Sequence, residues 1–241
     1  MTDSPPALSR SDREKADHSL SLSERAFRIL RQQILNGEIP PGEKLRVEAL
    51  QREHAFSSSP IREAFNRLVA EGLVIADDHR GFRAALMTSA DLEDITRFRL
   101  IVEPAALSQS IANGTDEWEA RVVAAFHRLE RIRQRIELGE IPFNAEWTQR
   151  HKDFHTALIS AAPSPRLLSA CSNYFDVSER YRRFEAMNRT QSRDTTGEHR
   201  RLMETALARQ AEMSVALLRE HISLTAKTTL ALRQSKATGL D

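Results

Sequence analysis

Two histidines four residues apart, His151 and His155 in Arg-His-Lys-Asp-Phe-His-Thr-Ala-Leu, carry the first chemistry this sequence offers. On a helix that spacing puts both rings on one face, where two imidazoles can bind one metal ion without distorting the backbone. The same spacing also suits a solvated or mutually hydrogen-bonded pair. His199, in Glu-His-Arg-Arg-Leu, and His221, in Leu-Leu-Arg-Glu-His-Ile, fall on later helical stretches. A bundle can gather side chains from three helices in its interior. Arg99 and Glu103 form another i, i+4 pair. It is either an intrahelical ion pair worth a few tenths of a kcal/mol, or it leaves an arginine facing a cavity, its fork free for a carboxylate. A metal-dependent hydrolase would need a general base close by. Asp153 lies two residues from each paired histidine, hence on another face, and Glu198 reads as a surface acid.

A second set of polar groups lies in Ser57–Gly72, Ser-Ser-Ser-Pro-Ile-Arg-Glu-Ala-Phe-Asn-Arg-Leu-Val-Ala-Glu-Gly. Ser59 can cap a helix whose first turn accommodates Pro60, and Gly72 supplies the stop. Ile61, Ala64, Phe65 and Leu68 recur at i, i+3, i+4, i+7 and predict one apolar stripe. The remaining face carries Ser57, Ser58, Ser59, Arg62 and Asn66. Short polar groups and a guanidinium near a helix N-terminus suit entry into a major groove and contact with phosphate. Leu73–Ala76 and Phe82–Ala85 can pair as a hairpin around Asp77–Gly81, with Arg80 and Gly81 at its tip. Helix followed by hairpin predicts a winged helix-turn-helix, with double-stranded DNA as partner.

The elements that must position these residues are mainly helical. Residues 1–20 are polar, with paired prolines, and read as a disordered tail. Residues 21–86 hold three helices and the hairpin: about 23–35, burying Ala26, Ile29, Leu30 and Ile34, then 47–54, then the serine-rich helix. Residues 87–235 show only helical periodicities, over about 90–112 with a bend at Pro104, 116–138, 144–161, 165–187, 194–209 and 211–234. The fold class is mainly α, a winged helix-turn-helix followed by an all-helical bundle. Lys+Arg 35 against Asp+Glu 34 leaves a net charge of +1, which argues against non-specific polyanion binding but not against a specific reader. A single cysteine, Cys171, excludes an internal disulfide and is consistent with a reducing cytoplasm. No apolar run reaches the roughly 18 residues of a membrane span.

Gly37-Glu-Ile-Pro-Pro-Gly-Glu-Lys-Leu, Ser-Pro-Ile-Arg-Glu-Ala-Phe-Asn-Arg-Leu-Val-Ala-Glu-Gly-Leu-Val and Arg80-Gly81-Phe82 resemble the DNA-binding domain of GntR-family bacterial transcription regulators. Arg99-Leu-Ile-Val-Glu103, His151-x-x-Phe-His155, Glu198-His199-x-x-Leu and His221-Ile resemble the ligand-binding FCD domain of that family's fatty-acid-regulator-like branch. The resemblance implies a homodimer on a near-palindromic operator, a repressor more often than an activator. It implies a divalent metal on His151, His155, His199 and His221, and a small organic acid paired with Arg99 as effector. By the same resemblance Arg62 contacts the major groove or phosphate, and Gly81 lets the wing backbone approach the minor groove. Two departures stand out. Ser58 replaces an arginine common in the branch, and His151 replaces an aspartate. Four imidazoles suit zinc or nickel better than manganese. More loosely, Asp116-Glu-Trp-Glu-Ala, Arg150-His-x-x-Phe-His-Thr-Ala and Arg180-Tyr-Arg182 are similar to carbon-starvation-induced members that respond to glutarate. A pure metal sensor without an organic effector is the alternative within the same class.

Overall fold

The computed structural model describes residues 20–77, 81–140, 145–186 and 196–237. The expected tail, Leu20 apart, and Arg80 at the wing tip lie outside the described residues. The chain divides into two compact units between Leu86 and Met87.

In the first unit, α1 (Leu22–Asn36) starts where the Ser21 hydroxyl accepts the Glu24 amide, and stops at Gly37, whose φ of +77° only glycine adopts freely. Its buried side is Ala26, Phe27, Leu30, Ile34 and Leu35. Phe27 takes the place expected for Ile29, which is only half-buried. A two-residue strand β1 (Lys44–Leu45) precedes α2 (Val47–His54) and α3 (Ser58–Ala70). The predicted stripe of α3 is fully buried at Ile61, Ala64, Phe65 and Leu68. The α3 start differs from expectation. Ser57, not Ser59, holds the cap position, and it makes no side-chain cap bond. Pro60 still falls in the first turn, where an amide has no helical acceptor to lose. Leu73 N–H bonds back to Leu68 C=O at 3.0 Å and closes the helix across Gly72.

Strands β2 (Val74–Asp77) and β3 (Gly81–Ala84) pair antiparallel, with Asp77 opposite Gly81. The ladder runs one residue nearer the tip than expected: the Leu73 amide goes to α3, and Leu73 keeps one bond to the other strand, its carbonyl accepting the Ala85 amide at 2.9 Å. β1 adds to β3, giving the order β1-β3-β2. Two polar-flanked residues carry no periodicity, which is why the sequence did not reveal β1. The aromatic rings of Phe65 and Phe82, 4.8 Å apart, join α3 to the sheet.

The second unit contains α4 (Ser89–Asn113), α5 (Asp116–Glu137), α6 (Ala145–Ile159), α7 (Pro165–Ala186), α8 (Thr196–Leu207) and α9 (Ala211–Ala237). α4 is one helix that carries Pro104 within it. α4 packs against α7 and α9, and α5 against α6 and α8. The core centres on Leu107, Trp118, Val122, Phe126, Phe154, Leu158 and Leu202. Trp118 is fully buried, and its indole N–H reaches the Ala157 carbonyl at 3.0 Å. That bond pins α5 to α6, the helix carrying the histidine pair. The turn into α5 is closed by Arg209, which donates to the carbonyls of Ile111 at 2.7 Å and Gly114 at 3.0 Å.

Gly114 lies against the Trp118 ring so closely that a Cβ would stand 2.3 Å from Cε3. Gly114→Ala is therefore expected to lower bundle stability by about 1–3 kcal/mol through overpacking, read as a lower thermal midpoint.

Candidate metal centre and candidate nucleic-acid interface

The bundle brings all four histidines together. His151 and His155 come from α6, His199 from α8 and His221 from α9, and one ligand atom from each lies within 4.8 Å of every other. All four residues are buried, at 5, 6, 4 and 7% exposure respectively. The Nε2 atoms of His151 and His155 are 3.2 Å apart. Two nitrogens bound tetrahedrally to one zinc ion would be about 3.4 Å apart, from a Zn–N bond near 2.1 Å. The pair thus already spans one edge of such a polyhedron. Phe154 and Phe175 wall the cluster, and Trp147 stacks on His151 with ring centres 4.6 Å apart.

Burial settles the protonation of the paired histidines. Desolvation, followed by the neighbouring imidazoles and the Arg182 guanidinium, pushes His151 well below its ordinary value of 6.5. His155 is lowered in the same way, by desolvation first, then His221, His199, Arg99 and Arg182. Neutral imidazole keeps the lone pair that a metal requires. His221 shows which nitrogen is available. Its Nδ1 is 2.7 Å from Glu198 Oε2. A carboxylate can only accept, so Nδ1 carries the proton and Nε2 is the nitrogen left for a metal. Glu198 is therefore not the surface acid expected from sequence. His151 Nδ1 is buried without a hydrogen bond, with Glu179 Oε2 3.6 Å away. These features suit a divalent ion held by nitrogen donors.

Arg99 is buried, and its fork closes on Glu103, with Nε to Oε1 at 2.5 Å and Nη2 to Oε2 at 3.2 Å. Its Nη1 donates to the Ser178 hydroxyl at 2.7 Å. The ion-pair reading of Arg99 and Glu103 holds, although in the interior rather than on the surface. Arg99 also faces a small cavity of about 30 Å³, bordered by His151, Ser178, Glu179, Arg182 and His221. Arg182 forks onto Glu179 and lies 4.1 Å from the Trp147 ring centre. Sequence reasoning gave Glu179, Ser178 and Trp147 no role. Only Glu179 left a trace, as an i, i+3 pair with Arg182. Asp153 bonds to Gln149 at 2.8 Å and Glu198 to His221, so each nearby acid already has a partner. Cys171 is a buried thiol pushed up to about 12, first by desolvation and then by Glu103.

In the first unit, Ser57, Ser58, Ser59, Arg62 and Asn66 are all exposed along one side of α3 and its cap. Glu63 and Arg67 are held by α1 instead, through Ser23 at 2.5 Å and Glu24 at 2.8 Å. Gly81 opens β3 with a φ of +90° and is exposed.

Metal-free protein should lose stability as the pH falls below 6.5, because unfolded His151 and His155 take up protons that the folded bundle refuses. Their contribution is complete above 6.5 and declines below it, by up to about 2.7 kcal/mol per pH unit for the two. Urea midpoints between pH 7.5 and 5.5 measure the slope, which His151→Phe/His155→Phe should flatten.

Comparison with known proteins agrees with this architecture. The profile for bacterial regulatory proteins of the gntR family matches residues 22–83, and the FCD domain profile matches residues 94–224. The HTH-type transcriptional regulator BphR of Paraburkholderia xenovorans (strain LB400) is 40% identical over 84% of this chain and 82% of its own. The HTH-type transcriptional repressor GlaR of Escherichia coli (strain K12) is 36% identical over 81% of this chain and 90% of its own. The solved E. coli McbR/YncC shares the fold at a TM-score of 0.72, with 22% identity over 90% of this chain and 99% of that one. A GntR regulator from Rhodococcus sp. RHA1 does so at 0.70, with 21% identity over 88% and 99%. No described helix is long and apolar enough to cross a membrane. The chain belongs to the GntR family of bacterial transcription regulators, with a winged helix-turn-helix and an FCD domain.

Proposed function

We propose that this regulator is a homodimeric cytoplasmic repressor that reads a palindromic double-stranded operator and is controlled by a metal and a small carboxylate bound in the FCD domain. The observation carrying the reading is the convergence of four buried imidazoles from three helices, in a chain that also exposes a polar α3 face. Ser57, Ser58, Ser59, Arg62 and Asn66 enter the major groove. Gly81 and Arg80 bring the wing to the adjacent backbone, and the dimer fixes half-site spacing. Serine at 58 removes one guanidinium from that face, which leaves Arg62 as its main charged contact.

In the bundle, His151, His155, His199 and His221 hold zinc or nickel in preference to manganese, since all four donors are nitrogen. A bound dication would supply a positive, Lewis-acidic centre at the cavity wall. The chain's own groups do the discriminating. Glu198 orients His221, and Trp147 and Phe175 keep water out. Arg99 and Arg182 are the cations an effector carboxylate can engage, each by exchanging an internal carboxylate for the incoming one. Glutarate is the first candidate, on the loose sequence likeness to glutarate-responsive members. DNA affinity then changes by the ligand's differential affinity for two arrangements, commonly about 1–3 kcal/mol.

One observation favours the second reading, a metal sensor with no organic effector: four clustered histidines would fill every position of a tetrahedral ion and leave none open.

Fluorescence anisotropy with palindromic DNA from the neighbouring promoter tests both. The proposal expects specific binding that changes about 5–150-fold with zinc plus glutarate. Arg62→Ala should weaken binding by about 1–3 kcal/mol. A response to zinc alone, indifferent to every short carboxylate, selects the sensor. Absence of specific binding under all conditions overturns both.

A further inference from the structure

The first residues of the bundle, where the chain arrives from the winged helix-turn-helix, are tied down by two side chains from distant helices. The Thr88 amide donates to the Tyr181 hydroxyl at 3.2 Å. That hydroxyl in turn donates to the Asp91 carboxylate through a short hydrogen bond. The Thr88 hydroxyl accepts the Asp91 amide at 3.1 Å, so the same residues also form the N-terminal cap of α4. Arg233 of α9 donates to the Met87 carbonyl at 2.5 Å, and its guanidinium lies 5.6 Å from the Tyr181 ring centre. Tyr181 is only 1% exposed, although Thr88 and Asp91, to which it bonds, are exposed.

Both helices that supply this clasp also line the cavity beside the histidines. α7 contributes Ser178, Glu179 and Arg182 to the cavity, within one helical turn of Tyr181. α9 contributes His221, Thr225 and Thr229, the last only one turn before Arg233. Glu179 and Arg182 share a helical turn with Tyr181, so a shift of that turn's backbone at the cavity also shifts Tyr181. We infer that Tyr181 is the positioning residue that links occupancy of the histidine cavity to the Met87–Asp91 segment, through its bonds to Thr88 and Asp91. The inference rests on the proposed metal site and adds the route by which that site reaches the chain's entry into the bundle. A packed turn with two discrete hydrogen-bonded arrangements passes on a small shift that a loose one would absorb.

Hydrogen exchange of the full-length protein, with and without zinc chloride, tests it, with zinc affinity measured in parallel by calorimetry. Zinc is expected to change protection of the Thr88–Leu92 amides about five-fold or more in the wild type. Tyr181→Phe keeps the buried ring and removes only the hydroxyl. It should abolish that change while zinc affinity stays where it was. Asp91→Ala, at an exposed position that does not endanger folding, should weaken the response. Asp91→Asn, which keeps an acceptor, should retain it. Bound zinc without a change at Thr88–Leu92, or a full response in Tyr181→Phe and Asp91→Ala, overturns the inference and leaves the metal site standing. Absence of zinc binding overturns the metal site and the inference together, and shows in the calorimetry rather than in the exchange.

Discussion

Four imidazoles buried together in one volume can be accommodated in few ways. For His151 and His155 an imidazolium would have to shed its hydration and face like neighbours, so these two rings favour the neutral form. Every neutral ring then presents one N–H and one lone pair, and both need partners in a space walled by Phe154, Phe175 and Trp147. The outer N–H of His221 meets Glu198. One ligand nitrogen from each ring lies within 4.8 Å of the other three. A cation at their centre would satisfy such an arrangement, and the rest of the bundle serves to hold it. The Trp118 bond to α6 and the Leu158–Leu202 core fix the helices at the separation the rings require.

Charge in the cavity wall is organised differently. Arg99 with Glu103 is a closed, buried fork, and Arg182 with Glu179 a closed, part-buried one. Removing one member of such a pair strands the other, whereas replacing one carboxylate by another costs much less. An effector carboxylate entering there would compete with a glutamate for a guanidinium, and a glutamate so released would have to move. Binding and rearrangement would then be one event.

Much of this was legible in the sequence because it is local. The α3 stripe follows from i, i+3, i+4 spacing, and the histidine pair from a single helical turn. The family resemblance joins His199 and His221 to that pair, which no local spacing could do. What the sequence hid was contact between elements. Glu198 looks like a surface acid beside His199, and only the packing of α8 on α9 sets it against His221. Ser178 has no signature of its own, since its role depends on α4 lying across α7, and Glu179 left only its i, i+3 spacing to Arg182. β1 is too short for any pattern. The cap chemistry of Ser59 suits Ser57 equally well, and a difference of two residues is beyond what composition can decide.

The central claim is that the four histidines form one metal site. Its most direct test is the metal content of purified and reconstituted protein, with X-ray absorption at the metal edge. The account predicts one zinc or nickel ion per chain, with imidazole nitrogens at about 2.0–2.1 Å, lost in His155→Ala and His199→Ala. Protein that takes up no stoichiometric ion, or whose ion shows no imidazole scattering, would contradict it.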